Sequence, residues 1–276
     1  MPELPEVETI KETLKQLCIH KTIADVTVHW SNIVKCPDDT DQFKYQLIGQ
    51  TIRDITRKGK FLLFQLDDVV LVSHLRMEGK FGVHPAHKPV PKHTHVIFAF
   101  NNGEELRYND VRKFGTMHLF AKGDEWGHKP LNQLGPDPFD ATFTPEYLYQ
   151  RLKKTERVVK TVLLDQTVVA GLGNIYVDET LFKANIHPLH KANKLKKKES
   201  KAIWEASIAT LREAVDQGGT TIRSYVNSQG DIGMFQQRLF VYGRDGDPCK
   251  MCGRAIVKMK IGDRGTHVCV SCQKMK

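Results

Sequence analysis

No stretch of this 276-residue sequence is apolar enough to cross a bilayer. The best runs, Val69–Val72 and Val96–Phe100, fall far short of the roughly 20 residues a spanning helix needs. No secretory leader is expected either. The opening Met1-Pro2-Glu3-Leu4-Pro5-Glu6 puts acids where a basic and then apolar stretch would be required, so a cytoplasmic protein without disulfides is expected. There is no internal repeat, and the one biased run, Lys194–Lys198, reads as a solvated face.

What is present is positive charge. Lys and Arg number 41 against 32 Asp and Glu, a formal net charge of +9. Neutralising phosphates releases condensed counterions, so this balance tilts the reading toward a nucleic-acid partner, with membrane-surface and structural basic proteins as alternatives. The six cysteines are unevenly spread. Cys18 and Cys36 stand alone as ordinary thiols, whereas Cys249, Cys252, Cys269 and Cys272 form two C-x2-C pairs sixteen residues apart. Each pair can chelate from one tight knuckle, and two knuckles complete the S4 shell of one Zn2+. Four thiolates leave no open coordination position, so the zinc is structural.

The length favours two domains and an appendage. Val7, Ile10, Leu14 and Leu17 recur at helical spacing after Pro5, with Glu6 and Glu8 in the acid-favouring first turn. Short β-rich runs follow at 23–30, 51–56, 61–66, 69–75, 95–100, 105–108 and 116–120, and Asn102-Gly103 marks a tight hairpin. This pattern predicts an antiparallel β-sandwich with an N-terminal helix over 1–130. Proline-rich 131–144 reads as a linker. Helical spacing over 145–153, 156–164, 174–184 and 198–215 predicts a helical domain to 238, with a long functional loop at 217–237 and a zinc ribbon over 239–276. The class is therefore α+β, with no amphipathic seam to suggest a dimer; a monomer is expected.

Processing of Met1 would expose the secondary amine of Pro2. A terminal amine has a reference pKa about 2.5 units below lysine, so more of it is neutral and nucleophilic near pH 7. Such an amine can form an iminium with a sugar carbon, and Glu3 and Glu6 beside it can carry protons.

The run Pro2-Glu3-Leu4-Pro5-Glu6-Val7-Glu8-Thr9 resembles the opening of the formamidopyrimidine-DNA glycosylase family. Arg57-Lys58-Gly59-Lys60, His74–Gly79, Asp110–Gly115, Gly171–Tyr176 and the four-cysteine tail stand in that family's order. The resemblance implies a bifunctional glycosylase and abasic-site lyase that excises 8-oxoguanine and formamidopyrimidines from double-stranded DNA, which would cross a basic cleft between the domains. Zinc would be the sole cofactor. Pro2 would be the nucleophile, Glu3 the acid and base, and Lys60 and Arg264 active-site and phosphate contacts.

Arg264 stands at the expected hairpin tip 261–266, where a rigid charged fork suits a phosphate. Asn174 opens a helix after Gly173 in a helix-two-turn-helix and is expected both to cap it and to touch DNA. By residue type alone Met77 and Phe114 read as packing. The resemblance makes them, with Arg112, the residues that fill the gap left by an extruded base and bond the orphaned cytosine. His74, Tyr242 and Lys258 are further expected phosphate contacts, and Arg76 is read as a partner for an acid. Lesion recognition falls to Glu6, Thr220, Ile222, Arg223, Ser224 and Tyr225. The related endonuclease VIII type, which prefers oxidised pyrimidines, is disfavoured by Leu4, Val7 and Thr9. A non-catalytic zinc-ribbon binder is disfavoured because Pro2, Glu3, Lys60, Asn174 and Arg264 are all present.

Overall fold

Helix α1 (Leu4–Cys18) forms because its apolar stripe has somewhere to go: Leu4, Val7, Ile10, Leu14 and Cys18 are all buried. Glu3 is its N-cap, and a capping box closes the first turn, with the Glu3 backbone N–H donating to Glu6 Oε2 at 2.8 Å. The computed structural model describes residues 1–220 and 234–275. The chain divides into two compact units, one over Met1–Asn132 and another over 133–220 and from 234 onward.

In the first unit, β1 (Ile23–Val28), β2 (Val34–Cys36), helix α2 (Thr40–Leu47) and β3 (Asp54–Lys58) follow α1. Then come β4 (Phe61–Gln65), β5 (Val69–His74), β6 (Lys80–Pro85), β7 (Thr94–Phe100), β8 (Glu104–Asn109) and β9 (Thr116–Ala121). They make two sheets, ordered β1-β7-β8-β6 and β2-β9-β5-β4-β3. One core draws on α1, α2 and both sheets, among it Ile10, Leu14, Phe43, Phe64, Phe81, Phe98 and Tyr108. The ion pairs Arg57–Glu8 (2.7 Å) and Lys15–Asp54 (2.8 Å) fasten α1 to β3.

Three elements of this unit depart from the sequence expectation. β2 pairs with β9 in parallel, so the sandwich is antiparallel except at that edge. Helix α2 buries only Phe43 and Leu47, too few positions to establish a period; its start is set by Asp39, whose carboxylate accepts from the Asp41 and Gln42 amides. β6 is an edge strand that buries only Phe81 and contains Gly82 and Pro85, residues that argue against a strand when read in isolation.

In the second unit, α3 (Pro145–Lys153) is capped by Thr144 and buries Leu148 and Leu152. It is followed by α4 (Val159–Leu163), α5 (Asn174–Lys183) and the 20-residue α6 (Lys197–Asp216). Helix α4 starts three residues later than the periodicity suggests, because Val158 is held in a bridge to Lys191 and the Val159 amide bonds His190 O. A hairpin of β10 (Val257–Ile261) and β11 (Arg264–Val268) completes the unit.

Candidate functional site

The chain's start is built into the first unit. Pro2, Glu3, Glu6 and Lys60 are all buried. Lys60 reaches this corner because β3 and β4 are joined by the two residues Gly59-Lys60, with Gly59 at φ 56, a turn conformation glycine adopts without steric cost. Arg57 sets that turn against α1: its Nε donates to Glu8 Oε2 at 2.7 Å and its Nη1 to Gly59 O at 2.9 Å. Burial pushes the amine at Met1 below its ordinary value; Glu3 and Glu6 pull it back up, and Lys60 pushes it down again. An amine, two carboxylates and an ammonium thus share one poorly hydrated corner.

His74 lies beside it on β5, paired across the strand with Phe61 and edge-on to that ring at 4.5 Å. Its Nδ1 accepts the Arg76 amide at 2.9 Å. Burial, aided by Arg76, Lys60 and His118, lowers its pKa from 6.5 to about 3. At neutral pH it is uncharged and can meet a phosphate only as a neutral N–H donor, a weaker contact than the sequence reading implied. A pH dependence follows. An unfolded histidine takes up a proton near 6.5 while the folded one resists it down to about 3. Stability is full above that window and declines as pH falls through it, by up to about 1.4 kcal/mol per unit. Urea denaturation of His74→Gln should give a flatter decline between pH 6.5 and 4; an unchanged slope would refute the assignment.

Two loops project from the same unit. One carries Arg76, exposed and at φ 54, and Met77, 37 % exposed; the other carries Arg112 and Phe114, the latter 50 % exposed. Arg112 packs its guanidinium over the Phe114 ring at 4.7 Å from the centroid. An exposed methionine and an exposed phenylalanine are residues that burial would otherwise claim, so sequence pattern alone reads them as packing.

In the second unit the candidate residues gather around α5. Gly173, not Asn174, is its N-cap, and no side chain caps it. The expected capping by Asn174 is therefore corrected: Asn174 Nδ2 donates to Gly265 O at 2.9 Å, and its buried Oδ1 has no partner. The hairpin bearing Arg264 is thereby tied to α5. Lys160 Nζ also reaches Gly265 O (3.2 Å) and pairs with Asp178 Oδ1 at 2.6 Å, both side chains fully buried. Asp178 Oδ2 accepts the His267 amide at 2.9 Å. The Glu179 carboxylate accepts the amides of Phe240, Val241 and Tyr242 at 2.8, 2.9 and 2.9 Å, and the Tyr242 ring lies edge-on to His267.

Sequence reasoning missed Lys160, Asp178 and Glu179. Their signal was present as charged residues inside the apolar runs Val158–Leu164 and Ile175–Leu181, positions where charge persists only when paired. Arg264 itself is exposed, opening β11 directly after the turn Gly262-Asp263. Lys258 is exposed on β10 opposite His267. Thr220 is buried and bridges Met234, while Ile222, Arg223, Ser224 and Tyr225 lie outside the described residues.

The four ribbon cysteines gather with every Sγ within 4.8 Å of the others, Cys249–Cys272 at 3.9 Å and Cys252–Cys269 at 3.5 Å. A tetrahedral ion with Zn–S bonds of about 2.3 Å separates its sulfurs by about 3.8 Å, so the set fits zinc. No helix among the described residues is long and apolar enough to cross a membrane.

Comparison with known proteins accounts for both units. The family model for the formamidopyrimidine-DNA glycosylase N-terminal domain matches residues 1–117, that for its H2TH domain residues 134–226, and the zinc finger found in FPG and IleRS residues 246–274. These matches define a zinc-finger DNA-repair glycosylase. The chain belongs to the formamidopyrimidine-DNA glycosylase family. It is 63% identical over 276 residues to the formamidopyrimidine-DNA glycosylase of Oceanobacillus iheyensis, covering 100% of this chain and 99% of that one. With the Bacillus subtilis enzyme of that name identity is 57%, covering 100% of both chains. A crystal structure of Lactococcus lactis Fpg with DNA containing N7-benzyl-Fapy-dG superposes with a TM-score of 0.92 at 39% identity, covering 99% of this chain and 100% of that one. A complex of the same protein with abasic-site DNA has the same TM-score and identity.

Proposed function

We propose that this protein removes oxidised purines, 8-oxoguanine and formamidopyrimidines, from double-stranded DNA as a monomer and then cleaves the abasic site by β,δ-elimination. The observation that carries the reading is the buried corner of Pro2, Glu3, Glu6 and Lys60, where burial already lowers the pKa of the Met1 amine one residue away. With Met1 removed, the Pro2 nitrogen attacks C1′ of the damaged nucleotide. The glycosidic bond breaks and the base leaves with a proton supplied through Glu3; the C1′–O4′ bond then breaks as O4′ takes up the proton lost by the Pro2 nitrogen, and the opened sugar is held as an iminium on Pro2. Glu3, now a carboxylate, takes the sugar proton that starts elimination of the 3′ phosphate, and the 5′ phosphate follows.

Lys60, Asn174 and Arg264 hold phosphates, with Tyr242 and Lys258 as outer contacts. Met77, Arg112 and Phe114 fill the helix where the base was, Arg112 bonding the orphaned cytosine. Recognition of the extruded base is assigned to Glu6, Thr220, Ile222, Arg223, Ser224 and Tyr225.

The test is borohydride trapping. The mature protein is incubated with a duplex bearing 8-oxoguanine opposite cytosine, reduced, digested and mapped by mass spectrometry. An adduct on Pro2 is expected; an adduct on a lysine would displace Pro2, and neither adduct nor cleavage would reject the activity. The Lactococcus lactis protein has also been crystallised with DNA containing an oxidised pyrimidine, so release of thymine glycol belongs in the same assay. Faster release of it than of 8-oxoguanine would overturn the purine assignment. Arg264→Ala should retain zinc but weaken lesion-DNA binding by about tenfold and lower the salt slope by about 1; unchanged affinity at fixed salt would remove Arg264 from the interface.

A further inference from the structure

Met77 and the Arg112–Phe114 pair sit at the exposed ends of two separate loops, and their joint use requires a fixed spacing between those loops. The loop stems converge on one atom, the Tyr108 hydroxyl. Tyr108, on β8, is fully buried, and its ring is held edge-on to Phe81 at 5.1 Å. A Cβ added at Gly79, two residues after Met77, would lie 2.1 Å from that hydroxyl oxygen. One added at Gly115, next to Phe114, would lie 1.7 Å from it, and the three atoms it would meet first all belong to Tyr108. Neither glycine has a left-handed φ. What they provide is room: two side chains are missing where one hydroxyl enters.

Each stem is closed locally. The Gly79 amide donates to Leu75 O at 3.0 Å. The fully buried Asp110 carboxylate accepts the amides of Arg112 (3.0 Å), Phe114 (2.9 Å) and Gly115 (2.9 Å), and the Tyr108 hydroxyl donates to the same carboxylate at 3.4 Å. The Asp110 carbonyl is in turn bonded to His95 Nε2 at 2.8 Å. A phenol needed only for bulk would carry no hydroxyl into a buried gap between two backbones, because an unbonded hydroxyl there is costly.

We propose that Tyr108 is a positioning residue that sets the separation of the Met77 and Arg112–Phe114 loops, and through it the preference of this enzyme for the base opposite the lesion. The proposal rests on the reading of those three side chains as the ones that enter the duplex.

The experiment measures the Kd of the full-length protein, at fixed salt, for duplexes carrying a tetrahydrofuran abasic analogue opposite cytosine or adenine. Thermal midpoint and borohydride trapping on a single-stranded abasic oligonucleotide, which has no opposite base, are measured alongside. In Tyr108→Phe the cytosine-over-adenine preference should fall about tenfold, the scale of one lost buried contact, while trapping and thermal midpoint hold. Gly115→Ala should also lower the preference, and less so in the Tyr108→Phe background, because the worst overlap has gone. An unchanged preference in Tyr108→Phe, strictly additive effects in the double variant, or an equal loss in every readout would each overturn the proposal. Arg112→Ala separates the two levels. If it leaves the preference intact, the reading of the loops as duplex-entering fails, and the role of Tyr108 fails with it. If it abolishes the preference while Tyr108→Phe does not, only the spacing role fails.

Discussion

Retention of Met1, forced by Pro2→Gln because the larger second side chain blocks processing, is expected to abolish both base release and the reducible adduct. The rate of base release from an 8-oxoguanine duplex should fall by at least about 10^3-fold, the scale seen when a nucleophile is removed and only binding and electrostatics remain. The physical reason lies in the corner's construction. Glu3 is fixed as the N-cap and by the capping box, and Lys60 by the Gly59 turn and Arg57. With Met1 retained the Pro2 nitrogen is an amide whose lone pair is delocalised into the carbonyl, so the atom these groups would serve is no longer nucleophilic. Folding should be unaffected, since α1 is anchored from Leu4 onward. Glu3→Gln is the companion variant: it leaves the amine and should still slow release about 10^2-fold or more by removing the acid. A Pro2→Gln protein that kept Met1 and still released base at the native rate would eliminate the terminal amine as nucleophile.

The second large effect is expected from Cys269→Ser. Cys269 is fully buried, and the apolar cluster it shares with Val241, Cys249, Ile256 and Phe182 is small. A hairpin with so little core depends on its metal, and structural zinc typically supplies on the order of 10 kcal/mol of folding free energy in such modules. Loss of one thiolate should therefore take zinc content from one ion per chain to nearly none. Lesion-DNA affinity should fall at least about a hundredfold, more than Arg264→Ala costs, because the whole hairpin loses its order and Lys258 goes with Arg264. Elemental analysis and a binding titration on the same preparation decide it; a serine variant that kept its zinc would remove Cys269 from the ligand set, and one that lost its zinc but kept its affinity would show that the ribbon folds by side-chain packing alone.

Much of this was legible before any fold was known, for reasons that differ by residue. The cysteines were readable because metal chelation constrains spacing along the chain, and two close pairs produce that spacing locally. Helix α3 was readable to the residue because Thr144, Pro145 and the Leu148–Leu152 pair write its start and its buried face within nine positions. Met77, Arg112 and Phe114 entered through resemblance, since pattern alone assigns Met77 and Phe114 to packing and Arg112 to an ordinary surface, and the exposure of Met77 and Phe114 in the structure removes the packing alternative.

Elements whose reasons lie elsewhere in the chain were not readable. α2 has too few buried positions, β2 finds its parallel partner more than 80 residues away, and β6 is a strand only because β8 pairs with it. The capping role expected of Asn174 failed for the same reason: its amide nitrogen goes to Gly265, 91 residues on.

The sequence by itself thus determined the family, the zinc ligands, the α+β order of elements and the residues at the chain's start, because local spacing and short motifs carry that information. Only the tertiary structure decided that His74 is neutral, that Lys160 and Asp178 hold the Arg264 hairpin to α4 and α5 while Glu179 holds the segment from Phe240 to Tyr242, and that one tyrosine hydroxyl occupies the space left by Gly79 and Gly115. Those facts depend on burial and on contacts between distant segments, and a group's charge state or an atom's available room is a property of its surroundings.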